Sequence, residues 1–142
     1  MKNYQIENIG NFSDVNQYVF APENVPIVIN GKVFLKEKLG LTSMEISINK
    51  NLPGTGMNFL HKHKLNEEVY IFISGQGEMI IDGEQFKVKE GSIVSVKPEA
   101  SRSWWNTGNE ELNYIVIQAP MNGQNQSTLE DGELLEGSVP WA

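Results

Sequence analysis

The sequence predicts an all-β domain, closed into a barrel or built of two packed sheets, and three observations carry that expectation. Between positions 26 and 119 no dozen-residue stretch repeats its apolar positions at the helical period of about 3.6 residues. Turn signals recur there instead at short intervals, at Asn30-Gly31, Pro53-Gly54, Asp82-Gly83, Glu90-Gly91 and Thr107-Gly108, which is the rhythm of sandwiches and barrels. Third, the only two histidines, His61 and His63, stand two residues apart. On a helix their side chains would diverge by about 200°, whereas residues i and i+2 of a strand share a face.

Taken in order, residues 1–25 are polar and weakly patterned, an expected N-terminal arm ahead of a barrel over 26–119. The run 26–29 followed by Asn30-Gly31 reads as a short strand and a hairpin turn, because both turn residues tolerate positive φ; 33–35 is expected to pair back. Met44, Ile46 and Ile48 alternate with Glu45, Ser47 and Asn49, the period-2 mark of a half-buried strand. After the break at 53–56, Met57, Phe59, His61 and His63 fall on one face of a strand, with Asn58, Lys62 and Lys64 on the other and Leu60 the exception. Val69, Ile71 and Ile73 oppose Glu68, Tyr70 and Phe72. That strand is therefore apolar on both sides and needs an outer cover, from the arm or from a second subunit. Further strands are expected over 78–81, 85–88, 92–96, 102–106 and 112–118. Residues 120–142 form an acidic tail with one large anchor, Trp141.

A chain of 142 residues suits one domain. Its 18 acidic and 11 basic residues give a net charge of −7, which argues against nucleic acid or an anionic membrane, since both need clustered lysine and arginine. A small solute is the expected partner. No cysteine is present, so disulfides and thiolate metal sites are excluded. No apolar leader opens the sequence and no run approaches the roughly 20 apolar residues of a membrane span; a soluble cytoplasmic protein is expected.

Two imidazoles on one face, with the carboxylate of Glu67 or Glu68 on a neighbouring strand, could bind one metal ion. The same histidines could also be satisfied by hydrogen bonds, and the two glutamates could be a solvated pair. Gly56, His61-Lys62-His63, Glu68 and Gly75, followed by Gly91, Pro98 and Asn106-Thr107-Gly108, resemble the two sequence motifs of the cupin family. The resemblance runs over roughly 44–118 and implies a double-stranded β-helix, the jelly-roll barrel. The six residues between Glu68 and Gly75 select Glu68 over Glu67 as the third ligand beside His61 and His63. The step from Gly56 to His61 is one residue short of the family pattern. A larger departure lies in the second motif: where metal-binding cupins carry a further histidine, this chain has Arg102, or Ser103 if the count starts from Pro98. Strand parity with Asn106 turns Arg102 inward, and Trp104 with it. The combination resembles a subgroup of small stand-alone cupins with arginine at that position.

Arg102 cannot simply replace a ligand, because a guanidinium about 4 to 6 Å from a divalent ion is repelled by about 5 to 8 kcal/mol at an effective dielectric near 20. The plain alternative is that the guanidinium snorkels to the barrel mouth with its stem packed on the wall. If Arg102 faces the site instead, two arrangements avoid the cost: an anionic ligand bridges the metal and the guanidinium fork, or no ion binds and Arg102 pairs with Glu68. Met57, Phe59, Tyr70, Phe72 and Trp104 are expected to wall the pocket, Tyr70 offering a hydroxyl to a ligand. The resemblance thus implies a divalent Fe, Mn, Ni or Zn on His61, His63 and Glu68, with a small anionic metabolite held in part by Arg102. An oxygenation, isomerisation or lyase step would follow, and the alternative is a metal-free binding or sensing barrel. A homodimer is the family habit.

Overall fold

The computed structural model describes residues 2–141. Ten strands follow a short 3-10 turn at Phe12–Gln17: β1 Val19–Phe20, β2 Ile29–Asn30, β3 Lys32–Phe34, β4 Glu45–Asn51, β5 Asn66–Ser74, β6 Gln76–Ile81, β7 Glu84–Lys89, β8 Ile93–Val96, β9 Arg102–Trp105 and β10 Leu112–Pro120. Two single-turn helices, α1 (Lys36–Leu39) and α2 (Thr128–Asp131), add little. A five-stranded sheet in the order β3-β4-β10-β5-β8 faces a three-stranded sheet in the order β7-β6-β9, and β1-β2 forms a small ribbon beside them. Every pairing is antiparallel. The two sheets make the expected all-β jelly roll. Among the described residues no helix is long and apolar enough to cross a membrane.

Side-chain parity builds the core between the sheets. Tyr70 and Phe72 of β5, Leu112, Tyr114 and Val116 of β10, Met79 of β6 and Trp104 of β9 point inward and are buried. Their polar atoms are tied together, since Trp104 Nε1 donates to Tyr114 Oη at 2.6 Å and Tyr114 Oη donates to Asn51 Oδ1 at 2.8 Å. The chain crosses from one sheet to the other at Gly75, whose φ of 86° and whose closeness to the Glu111 carbonyl, 2.2 Å from any added Cβ, admit no other residue without strain. Asp82 and Gly83, both at positive φ, close the β6-β7 hairpin.

Two local expectations are corrected. The Asn30-Gly31 step does not fold β3 back on β2. Instead β2 pairs with β1, and β3 pairs with β4, where Val33 sits opposite Ile48. Gly31 hands the chain from ribbon to sheet, its N–H donating to Tyr18 O at 2.7 Å and its carbonyl accepting from Lys50 N at 2.8 Å. Burial of Val33 and Ile48 with Val15 of the 3-10 turn in a second, outer core favours this register over a local hairpin. Strand β4 does alternate, but in the opposite sense to a half-buried strand. Its isoleucines face outward, Ile48 under the N-terminal segment, while Ser47, Asn49 and Asn51 are buried toward the barrel interior. Within the N-terminal arm Val15, Ile9 and Tyr18 pack over this outer core, while most of its other residues stay exposed.

Candidate metal centre

The histidine segment is extended but forms no full strand. It is pinned to β9 by isolated bridges, Gly56 with Trp105 and His61 with Arg102. Main-chain bonds run from Met57 N to Trp104 O at 2.9 Å, from His61 N to Arg102 O at 3.1 Å and back from Arg102 N to His61 O at 2.9 Å. Its period-2 alternation survives: Met57, Phe59, His61 and His63 are half-buried, while Asn58, Leu60, Lys62 and Lys64 are exposed. His61 and His63 therefore look into the barrel together, and Glu68, at the start of β5 in the opposite sheet, meets them. One ligand atom from each of the three lies within 4.8 Å of the others. Ligands about 2.1 Å from one ion stand roughly 3 to 4 Å apart, so a small inward movement seats an ion. Nδ1 of His61 is buried with no hydrogen-bond partner. Burial pulls the His61 imidazole down to about 4, against an upward pull from Glu68, which keeps it neutral and able to ligate near neutral pH. Two nitrogens and a carboxylate oxygen suit a divalent transition metal.

The two oxygens of Glu68 have different neighbours. Oε1 accepts from Tyr70 Oη at 2.8 Å and from Arg102 Nε at 3.0 Å; Arg102 Nη2 lies 2.9 Å from the same oxygen without an aligned hydrogen bond. Oε2 stands 3.5 Å from His63 Nε2 and is the oxygen left for a metal. Arg102 is fully buried, and its Nη1 donates to the carbonyls of Ala100 at 2.6 Å and Pro98 at 3.2 Å. It neither reaches the barrel mouth nor lines the cavity; it stands behind Glu68 as a fixed counter-charge. Burial, reinforced by Glu68, raises the Tyr70 phenol well above its ordinary range, so it remains a donor to the carboxylate.

A cavity of about 230 Å³ opens in front of the triad. Of the expected wall residues, Met57, Phe59 and Trp104 line it, together with His61, His63 and Glu68. Tyr70 and Arg102 sit one layer back, on Glu68, and Phe72 is in the core with its ring 5.5 Å from that of Tyr114. Sequence reasoning missed Phe20, Ile27, Ile29, Lys32, Phe34 and Ser47, all of which line the same cavity. The one signal available was parity, since Lys32 and Phe34 flank Val33 and must share its opposite face.

The cupin domain model matches residues 51–118. An oxalate-binding protein of Thermotoga maritima is 31% identical over 104 residues, spanning 68% of this chain and 85% of that protein. An uncharacterised protein of Methanocaldococcus jannaschii is 33% identical over 85 residues, 60% of this chain, and the match spans 64% of that protein's length. The crystal structure of a cupin protein from Bacteroides fragilis superposes with a TM-score of 0.78 at 29% identity, covering 96% of this chain and 100% of that one. The chain belongs to the cupin family.

Proposed function

We propose that this cupin binds one divalent transition metal through His61, His63 and Glu68 and presents it to a small anionic metabolite of the carboxylate type. The observation that carries this reading is the division of labour on Glu68. Arg102 and Tyr70 take Oε1 only, which holds Oε2 toward His63. Buried partners of this kind orient a ligating carboxylate and tune its basicity. Arg102 occupies the position where metal-binding cupins have a further histidine, and pairs with the ligand rather than replacing one. The arrangement also explains the preference for an anion. The charges of Glu68 and Arg102 cancel, so a bound divalent ion leaves the centre with two net positive charges in a partly desolvated cavity. The name of the Thermotoga relative, an oxalate-binding protein, supports a carboxylate. When bound, such a metal supplies Lewis-acid polarisation of a ligand oxygen; the chain's own part is to fix the donors, keep His61 neutral and line the cavity with apolar side chains.

A metal-free binding barrel is favoured by one feature, the Glu68–Arg102 pair, which is complete without an ion. Elemental analysis of protein purified without tag or chelator separates the two readings. Close to one equivalent of a transition metal per chain, lost in His61→Ala, is expected; no metal after reconstitution overturns the metal reading in favour of the barrel. We also read the apolar outer face of β5 and β8 as the contact between two copies of the chain.

A further inference from the structure

The cavity lining is chemically mixed. His61, His63 and Glu68 share it with the apolar side chains of Phe20, Ile27, Ile29 and Phe34, and it holds one ammonium group, that of Lys32. Lys32 is turned inward by its pairing opposite Asn49. Its Nζ donates to Asn49 Oδ1 at 2.8 Å and to Ser47 Oγ at 3.2 Å. These use two of its three N–H donors, so β4 fixes the ammonium and one donor remains for a ligand. Burial lowers the Lys32 ammonium to about 8, with Glu68 and then Glu45 opposing the shift, and it stays charged at neutral pH. Arg102 has no such freedom, being buried behind Glu68.

We infer that the site takes a monocarboxylate with an apolar body, its carboxylate paired with Lys32 Nζ and its aliphatic or aromatic part packed against Phe20, Ile27, Ile29 and Phe34. This rests on the reading of the site as a metal and anion pocket, and narrows it. Two arguments set this ligand apart from oxalate. The cavity of about 230 Å³ has room for about eight waters at roughly 30 Å³ each, more than two joined carboxylates fill. A dianion bridging the metal site and Lys32 would also leave the apolar wall facing water, whereas an apolar body removes that area from solvent.

Calorimetric titration of the chain, metal-free and metal-loaded, with phenylacetate, acetate and oxalate tests the inference, with Lys32→Met and Phe20→Ala alongside. Phenylacetate is expected to bind at least about tenfold more tightly than acetate, the yield of burying some 60 Å² of apolar surface, and more tightly than oxalate. Lys32→Met should weaken phenylacetate by about tenfold or more, as expected for a lost hydrogen bond to a charged group. Phe20→Ala should weaken phenylacetate several-fold more than it weakens acetate; metal uptake by each variant reports its folding. Oxalate binding more tightly than phenylacetate overturns this inference and leaves the metal and anion reading standing. Failure of all three acids to bind overturns this inference and the carboxylate part of that reading, its metal part being decided by metal content, and an unchanged phenylacetate affinity in a folded Lys32→Met overturns the role of Lys32.

Discussion

Glu68 is 4% exposed and carries a charge that Arg102, itself fully buried, answers through Nε. Removing one member of such a pair strands the other in a low dielectric, which costs about 3 to 5 kcal/mol. Arg102→Met should therefore lower the urea unfolding free energy by that amount, and an effect below about 1 kcal/mol would show that the pair is better solvated than its burial implies. Tyr70→Phe removes one hydrogen bond to the Glu68 carboxylate and should cost about 1.5 to 3 kcal/mol, and weaken metal binding by roughly ten- to a hundredfold through the orientation of Glu68. Metal titration followed by competition with a chelator measures it. Lys32 offers a test by pH. Its folded pKa of about 8 lies below its ordinary 10.5, so between those values the unfolded chain binds the extra proton and stability rises with pH. Below pH 8 both states are charged and the burial penalty is constant. Glu68 and Glu45 face this ammonium and limit the shift. Lys32→Met should remove the dependence, so the stability difference between variant and wild type should change from pH 8 to 10; parallel curves would show that the ammonium is not desolvated.

At the scale of elements, backbone constraints decide which segments can be exchanged. Gly75 bends β5 into β6 at φ 86°, with the Glu111 carbonyl where a Cβ would sit. Gly75→Ala should cost at least about 2 kcal/mol, from the left-handed conformation and a backbone clash that no rotamer relieves. Gly83, also at positive φ but with open space around it, should lose only about 1 kcal/mol on the same change; equal losses at the two sites would show that the clash relaxes. The same contrast explains what was legible in the sequence. The alternation over 57–63, the turns at Asp82-Gly83 and Glu90-Gly91, and the inward parity of Arg102 and Trp104 are local properties of period 2 and of turn chemistry, and a single chain displays them. Lys32 could not be read in this way, because its partners Ser47 and Asn49 lie 15 and 17 residues on and only the β3-β4 register brings them together. The inverted sense of β4 was hidden for the same reason. Its polar residues look solvent-facing until Lys32, Tyr114 and the N-terminal cover are in place around them.

Across the whole molecule, the outer face of the large sheet presents a cross-strand row of isoleucines. Ile48, Ile115, Ile71 and Ile93 sit opposite one another on β4, β10, β5 and β8, with Ile46, Ile117 and Val69 in the next row. The N-terminal segment closes one end, packing Val15, Ile9 and Tyr18 over Ile48 and Ile115. The other end, at the edge strand β8, is left open, with Ile93 68% exposed. A contiguous apolar strip of this kind is typical of association surfaces, and a sheet face related by a two-fold axis is self-complementary. With two copies joined there, sedimentation equilibrium should give twice the chain mass. Ile93→Glu, which places a charge at the exposed end without touching the interior core, should then shift the equilibrium to monomer and leave metal content unchanged, because the triad faces the opposite side of the sheet. A wild-type mass equal to one chain would instead mean that the strip tolerates water and that the N-terminal cover alone completes the fold.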